Sequence, residues 1–300
     1  MRVGTQPAVA GECQHERRRA RTGRGAALGH PQASELVDEG SDQVVLVHPG
    51  TVPAVRRRRP GRYGPLLPSA TPLVLLHGFA GTPEHWRRVI AELPPKRFAP
   101  VPLDIARIEP LTPDGVVAAV AAAAPARFVL AGYSMGARLA LHAALAMPER
   151  LERLVLVSGT AGIDARERGA RLAADEALAE EIERGGIAAF IARWSAVPLF
   201  DGDPAWVRDE VAREQRGCEP AVLAACLRAF GSGAMAPMWR RLAELRLDVA
   251  VLAGERDSRY VELGRRLAAA LPRAQLTVVA GAGHRLGLEA PDAVAAAIAD

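Results

Sequence analysis

The sequence predicts an α/β fold: a mostly parallel sheet flanked by helices, with a helical cap inserted before the last two strands. Three observations predict it. From Pro72 onward, short continuous apolar runs alternate with longer stretches of helical periodicity, as expected for strands buried on both faces and joined by crossover helices. The alternation stops after Val157 and resumes at Val249, and the residues between read as helix. A Gly-x-Ser-x-Gly run, Gly132-Tyr133-Ser134-Met135-Gly136, stands between an apolar run and a helical stretch.

Residues 1–43 show no apolar periodicity and are rich in Arg, Gly, Gln and Glu, with the run Arg17-Arg18-Arg19. Val44-Val45-Leu46-Val47 is a short apolar run able to add one edge strand. Pro49, Gly50, Pro53, four arginines at 56–59 and Pro60-Gly61 follow. Segment 1–70 cannot bury enough apolar surface to offset its ordering entropy, so it reads as a basic, disordered extension.

Leu73-Val74-Leu75-Leu76 is the first strong strand and ends in His77-Gly78-Phe79. Residues 86–93 read as helix, 98–103 as a weaker strand leading to Asp104, and 116–124 as an Ala-rich helix. The buried strand 127–131 precedes Gly132, helix 137–147 is stopped by Pro148, and 154–157 is a further strand. Residues 164–184, 186–197, 204–216 and 219–230 are helical in pattern. The sheet resumes at 249–253 and 275–279, with helices over 261–270 and 290–299. The core is therefore assigned to 71–160 and 241–300, and the cap to 161–240.

A chain of 300 residues, 49% hydrophobic and 24% charged, accommodates one large domain with an insertion and a tail. No apolar stretch is long enough to span a bilayer. The net charge of +4 is unevenly placed: residues 1–70 carry +5 and the remainder −1. Nucleic acid is not expected as a partner, because the arginines before residue 50 are interleaved with acids and no aromatic residue precedes Tyr63. Lys96 is the sole lysine, which reads as coding bias. Cys13, Cys218 and Cys226 are too scattered for a disulfide framework or a zinc site, which suits a reduced, cytoplasmic protein with inert thiols. The N-terminal segment lacks the apolar core of a secretory signal. No Met occurs between Met1 and Met135, so a shorter product would need a non-Met start near 44–55.

Gly-x-Ser-x-Gly after a buried strand marks a strained strand-to-helix turn, with glycines where side chains would collide and the Ser134 hydroxyl raised above the sheet. A serine hydroxyl is inert without a base. His284, in Gly281-Ala282-Gly283-His284 after the last strand, is the candidate. Ala253-Gly254-Glu255-Arg256-Asp257 follows the preceding strand, and Asp257 is assigned to orient the imidazole, with Glu255 the competing carboxylate. With the order Ser134…Asp257…His284, and His77-Gly78-Phe79 after the first strong strand, residues 71–300 resemble the α/β-hydrolase superfamily. These enzymes place half of their oxyanion hole after that strand, so the resemblance implies the backbone N–H groups of Phe79 and Met135 as the two donors.

Arg138 lies one helical turn beyond Ser134, near the same face of a buried helix, where a charge needs a partner such as a bound carboxylate. A closer resemblance rests on Gly132 to Leu141 (GYSMGARLAL), Leu154 to Ile163 (LVLVSGTAGI), Arg-Gly-Ala-Arg-Leu at 168–172 and Ala253 to Asp257 (AGERD). These look like the 2-succinyl-6-hydroxy-2,4-cyclohexadiene-1-carboxylate synthases of menaquinone biosynthesis, over roughly residues 71–300. In that family arginines hold a substrate with several carboxylates. The resemblance carries over Arg138 and Arg171, places Trp194 in the pocket lining and matches Tyr133 to a tyrosine beside the serine. A further family arginine falls near 213–216; Gln215 competes for its position, with Arg213 and Arg216 flanking, and Arg216 is the assigned contact. Ala137 stands where the family usually has a second glycine.

The resemblance implies a lyase that abstracts a ring proton and expels pyruvate, with Ser134 as base, and with no metal or organic cofactor. The triad alone is equally compatible with a serine hydrolase, an esterase or carbon–carbon bond hydrolase using Ser134 as nucleophile. A non-catalytic binding protein on the same scaffold is the reading from another class.

Overall fold

The computed structural model describes residues 44–50, 70–124 and 127–300. Among them, β1 (Val44–Val47), β2 (Thr71–Leu76), β3 (Phe98–Leu103), β4 (Phe128–Tyr133), β5 (Leu151–Val157), β6 (Asp248–Gly254) and β7 (Ala274–Val279) form one sheet. Every pairing is parallel, in the order β1-β7-β6-β5-β4-β2-β3. Strand order reverses between β2 and β4: the chain leaves β2 toward β3 and returns to build the rest on the other side. The loops after β2 and β4 diverge there, opening a crevice at the carboxyl ends of the strands.

The strands are apolar because both faces are covered. Val74, Leu76, Leu130 and Leu156 face α2 (Pro113–Ala123), α3 (Met135–Ala146) and α7 (Ser258–Ala270). Leu73, Leu75, Val155 and Leu252 face α1 (Arg87–Glu92) and α9 (Pro291–Ala299), where Trp86, Val89, Val294 and Ile298 complete the layer. The helix starts follow from local chemistry. Pro113 opens α2 with a preset φ, and the Thr112 hydroxyl accepts from Gly115 N–H at 3.0 Å. Ten of the residues in α3 are buried, Arg138 among them.

Between β5 and β6 the chain forms the cap: α4 (Ala165–Ser195), α5 (Ala205–Gln215) and α6 (Pro220–Phe230). The two helices expected over 164–184 and 186–197 are the two arms of α4, which kinks at Gly186, where φ is +71°. Ile182, Phe190, Leu223 and Leu227 form the cap's own core, and Phe79 and Trp194 pack against it.

Val44–Val47 pairs with β7 as the edge strand, so the segment expected to be an extension contributes one element of the sheet. Apart from 44–50 and Ala70, the disorder expected of residues 1–70 lies outside the described residues, as does Cys13. Burial pushes the thiols of Cys218 and Cys226 up to about 11 and about 12, which makes both poor nucleophiles near neutrality. Among the described residues no helix is long and apolar enough to cross a membrane.

Candidate active site

The crevice lies over Ser134. That residue leaves β4 and enters α3 with φ 53° and ψ −109°, a backbone conformation rare outside glycine. The flanking glycines permit it. A Cβ at Gly136 would run into the carbonyls of Leu76 and His77, and one at Gly132 into the carbonyl of Gly136. Ser134 N–H donates to Val157 O at 2.9 Å, which ties the turn to β5.

His284 Nε2 lies 3.1 Å from Ser134 Oγ, and its Nδ1 lies 2.6 Å from Asp257 Oδ2. An ionised carboxylate only accepts, so Nδ1 carries the proton and Nε2 is free to accept from the serine hydroxyl. Both His284 and Asp257 are buried. Asp257 does two jobs: Oδ2 faces His284, while Oδ1 accepts from Tyr260 N–H at 3.2 Å and caps α7. Glu255, the competing carboxylate, is exposed and accepts from Gly281 N–H at 2.8 Å, so it is spent on the turn carrying His284. Ser158 Oγ donates to the carbonyl of His284 at 2.9 Å and holds that turn from β5.

Phe79 and Met135 both line the cavity above the serine, which has a volume of about 720 Å³. Met135 is the first residue of α3, so its N–H has no intrahelical acceptor. The Gly78 backbone runs beside the serine: a Cβ there would be 3.4 Å from Ser134 Cβ. These are the positions from which two amides can converge on one oxygen.

Cap and core close the rest. Arg138 is 7% exposed; Nη2 donates to Phe230 O at 2.8 Å, and Nε has no hydrogen-bond partner. Burial pulls its pKa downward, because a cation is costly to hold away from water. Arg171 lines the same cavity and pairs through Nε with Asp175 Oδ1 at 2.7 Å. Trp194 stands edge-on to Phe79, ring centroids 5.2 Å apart. Tyr133 stacks on His85 at 4.5 Å, 5.4 Å from the His284 ring, and burial raises its pKa.

Arg216 does not belong with them. It is exposed at the C-terminal end of α5 and does not line the cavity, whereas Gln215 is buried and does. The reason is helical phase: one residue of register turns a side chain by about 100°. Arg213 is exposed as well and lies 3.6 Å from Glu210.

Three further groups had no signal in the sequence. His85 is buried in the cavity wall, and burial lowers its pKa to about 3, so it is neutral. Glu214 Oε1 accepts from Thr82 N–H at 2.6 Å and from Thr82 Oγ at 2.7 Å, fastening α5 to the loop that carries Phe79. Arg285, beside His284, pairs with Asp203 of the cap. The last two depend on how the cap docks and His85 on how the loop after β2 packs over Tyr133, and no local pattern encodes either.

Known proteins resemble this chain in sequence and fold. The family model described as "Alpha/beta hydrolase family" matches residues 73–297. A putative 2-succinyl-6-hydroxy-2,4-cyclohexadiene-1-carboxylate synthase of Bacillus subtilis (strain 168) is 31% identical over 234 residues, covering 73% of this chain and 85% of the relative. The synthase of that name from Serratia proteamaculans (strain 568) is 31% identical, over 75% of this chain and 90% of its own length. The solved structure of MenH from S. aureus superposes with a TM-score of 0.71 at 24% identity, over 78% of this chain and 93% of that one, a likeness of fold. The chain belongs to the α/β-hydrolase family and is a homologue of the 2-succinyl-6-hydroxy-2,4-cyclohexadiene-1-carboxylate synthases.

Proposed function

We propose that the protein is a lyase of menaquinone biosynthesis that eliminates pyruvate from a succinyl-enolpyruvyl-hydroxycyclohexene carboxylate. Its product is 2-succinyl-6-hydroxy-2,4-cyclohexadiene-1-carboxylate. The observation that carries this reading is Arg138: a buried guanidinium lining the cavity one turn beyond Ser134, with Nε unpartnered. An unsatisfied buried donor costs about 1–3 kcal/mol, and a bound carboxylate would remove that cost. An apolar ester would leave it in place.

In this reading Ser134 takes the ring proton next to the succinyl carbonyl and passes its own proton to His284 Nε2. Asp257 keeps His284 in the accepting tautomer and offsets the imidazolium charge. The electron pair left on the ring conjugates with the succinyl carbonyl, whose oxygen is met by the amides of Phe79 and Met135. It then shifts through the ring double bond and breaks the carbon–oxygen bond to the enolpyruvyl group. The pyruvate enolate departs and takes up a proton. Arg138 and Arg171 hold carboxylates, while Tyr133 and Trp194 shape the wall. Bonds formed and broken balance without an added cofactor.

The test is pyruvate release from that intermediate, set beside hydrolysis of an activated short-chain ester. Release of pyruvate with catalytic turnover is expected. A burst of acyl-enzyme from the ester, with no pyruvate from the intermediate, would reject the lyase in favour of a serine hydrolase. The cap register gives a second expectation. Gln215→Leu raises KM about tenfold through loss of a polar contact with a charged group. Arg216→Ala leaves kcat and KM within about twofold, as befits an exposed side chain. The reverse pattern in steady-state kinetics would put Arg216 in the site after all.

A further inference from the structure

Asp203 and Arg285 form a buried ion pair where the cap meets the core: 3% and 6% exposed, with Oδ2 and Nε 2.8 Å apart. The N–H does not point along that line, so the contact is electrostatic rather than a well-aligned hydrogen bond. Assembling two charges out of water is costly unless the geometry is excellent, so stability is a weak reason for this pair.

Its neighbours supply a better one. Arg285 directly follows His284, and its guanidinium lies over the Phe200 ring at 3.9 Å. The Phe200 ring in turn stands edge-on to His284, centroids 6.0 Å apart. Asp203 N–H donates to Phe200 O at 3.1 Å, so the carboxylate and the ring belong to one tight turn. Arg208 donates to Asp203 O from the start of α5. From the other side Arg256, which directly precedes Asp257, donates to Gly202 O, to Gly281 O and to the Glu289 carboxylate. The residues adjoining two members of the Ser134–His284–Asp257 chain therefore both grip the cap turn 200–203.

We propose that Asp203 is a positioning residue of the site: by pairing with Arg285 it holds the Phe200 turn against the His284 ring and balances the Arg285 charge beside that ring. The inference rests on the reading of His284 as the proton acceptor of Ser134. Several polar or titratable groups surround His284. Asp257 contacts Nδ1, Ser134 contacts Nε2, Tyr133 approaches from β4, and the Tyr260 ring approaches from α7 at 4.5 Å. Arg285 lies in its own loop, Asp203 reaches it electrostatically from the cap, and His85 from the loop after β2. His85 is neutral, so the charges that matter are Asp257, Asp203 and Arg285. Burial raises the Asp203 pKa on balance, and the Arg285, Arg256 and Arg208 cations oppose it. Asp203 and Arg285 thus place opposite charges beside His284, and removing one leaves the other unbalanced there.

Asp203→Asn leaves the Arg285 cation uncompensated and disfavours the imidazolium. In the full-length protein, the His284 titration is followed by NMR as the ring resonance absent from His284→Gln. Its midpoint is expected to move to lower pH by about half a unit or more in Asp203→Asn. In the pyruvate-release assay the acid limb of kcat/KM moves with it, and kcat falls about tenfold with KM within about threefold. Asp203→Glu restores the midpoint and most of kcat. If Asp203→Asn does not fold, Asp203→Asn/Arg285→Met carries the test, because it leaves no charge unpaired. Its midpoint stays at the wild-type value while kcat falls, since the turn is no longer tied.

Three results overturn the proposal: an unmoved midpoint in folded Asp203→Asn, wild-type kcat in the double variant, or a rise in KM alone, which would make Arg285 a direct substrate contact. The NMR arm needs no substrate. If the wild-type protein releases no pyruvate, the proposed function fails while the midpoint still reports on Asp203.

Discussion

Ser134→Ala lowers kcat for pyruvate release by on the order of 10⁴-fold, with KM nearly unchanged. The hydroxyl is the group through which the proposed proton path runs: ring carbon to Ser134 Oγ to His284 Nε2, the last two already 3.1 Å apart. An alanine there keeps the backbone turn, because the glycines at 132 and 136 rather than the serine side chain make room for it. The amides of Phe79 and Met135 and the cavity arginines also stay. Residual activity above the uncatalysed rate is therefore expected, since binding and oxyanion donors still act. The melting temperature should move by less than about 2 °C. Loss of folding would make the variant uninformative about chemistry, so circular dichroism belongs beside the coupled pyruvate assay. A variant that folds and retains more than a tenth of wild-type kcat would remove Ser134 from the mechanism, and the lyase and hydrolase readings would fall together.

Why Ser134 was legible in the sequence while Arg285 was not comes down to range. Ser134 is specified by a local conflict: a buried strand must turn into a helix within a few residues, and only small flanking residues allow it. Asp257 and His284 were legible for a related reason. Each lies in the loop after a parallel strand, and parallel strands deliver their carboxyl ends to one edge of the sheet. Which of Glu255 and Asp257 meets the imidazole is a question of the turn's geometry, and Asp257, which also caps α7, is the one that does. Val44–Val47 was visible as an apolar run, but its partner β7 lies at the other end of the chain. Helices 204–216 and 219–230 were legible from their periodicity, yet the choice between Gln215 and Arg216 was not. Both can occupy the last turn of a helix, and only the docked cap decides which one faces inward. The Asp203–Arg285 and Glu214–Thr82 contacts are tertiary throughout. No periodicity or motif announces them, because each pairs a cap residue with a core loop far away in sequence.

Arg138→Met lowers kcat/KM for the polycarboxylate intermediate by about 10²–10³-fold, mostly through KM, because truncating one partner of a buried charge pair costs on the order of 2–5 kcal/mol. Methionine keeps the length and apolar stem of the side chain and discards the charge and the planar donor fork. Hydrolysis of a neutral activated ester, if any is present, should be unaffected or improved, since the cation offers such a substrate nothing. The effect on folding is what separates a binding arginine from a structural one. The substitution removes the bond from Nη2 to Phe230 O in the last turn of α6, where a cation also complements the helix dipole. Against that loss, it removes a buried Nε with no partner and the desolvation of a charge. The two contributions oppose each other, and the melting temperature is expected to move by less than about 4 °C. Arg138→Lys keeps the charge but cannot present two parallel donors, so it should recover only part of the lost kcat/KM. A large fall in melting temperature with substrate affinity intact would make Arg138 a clamp on the end of α6. Arg138 would then give no support to a lyase over an esterase.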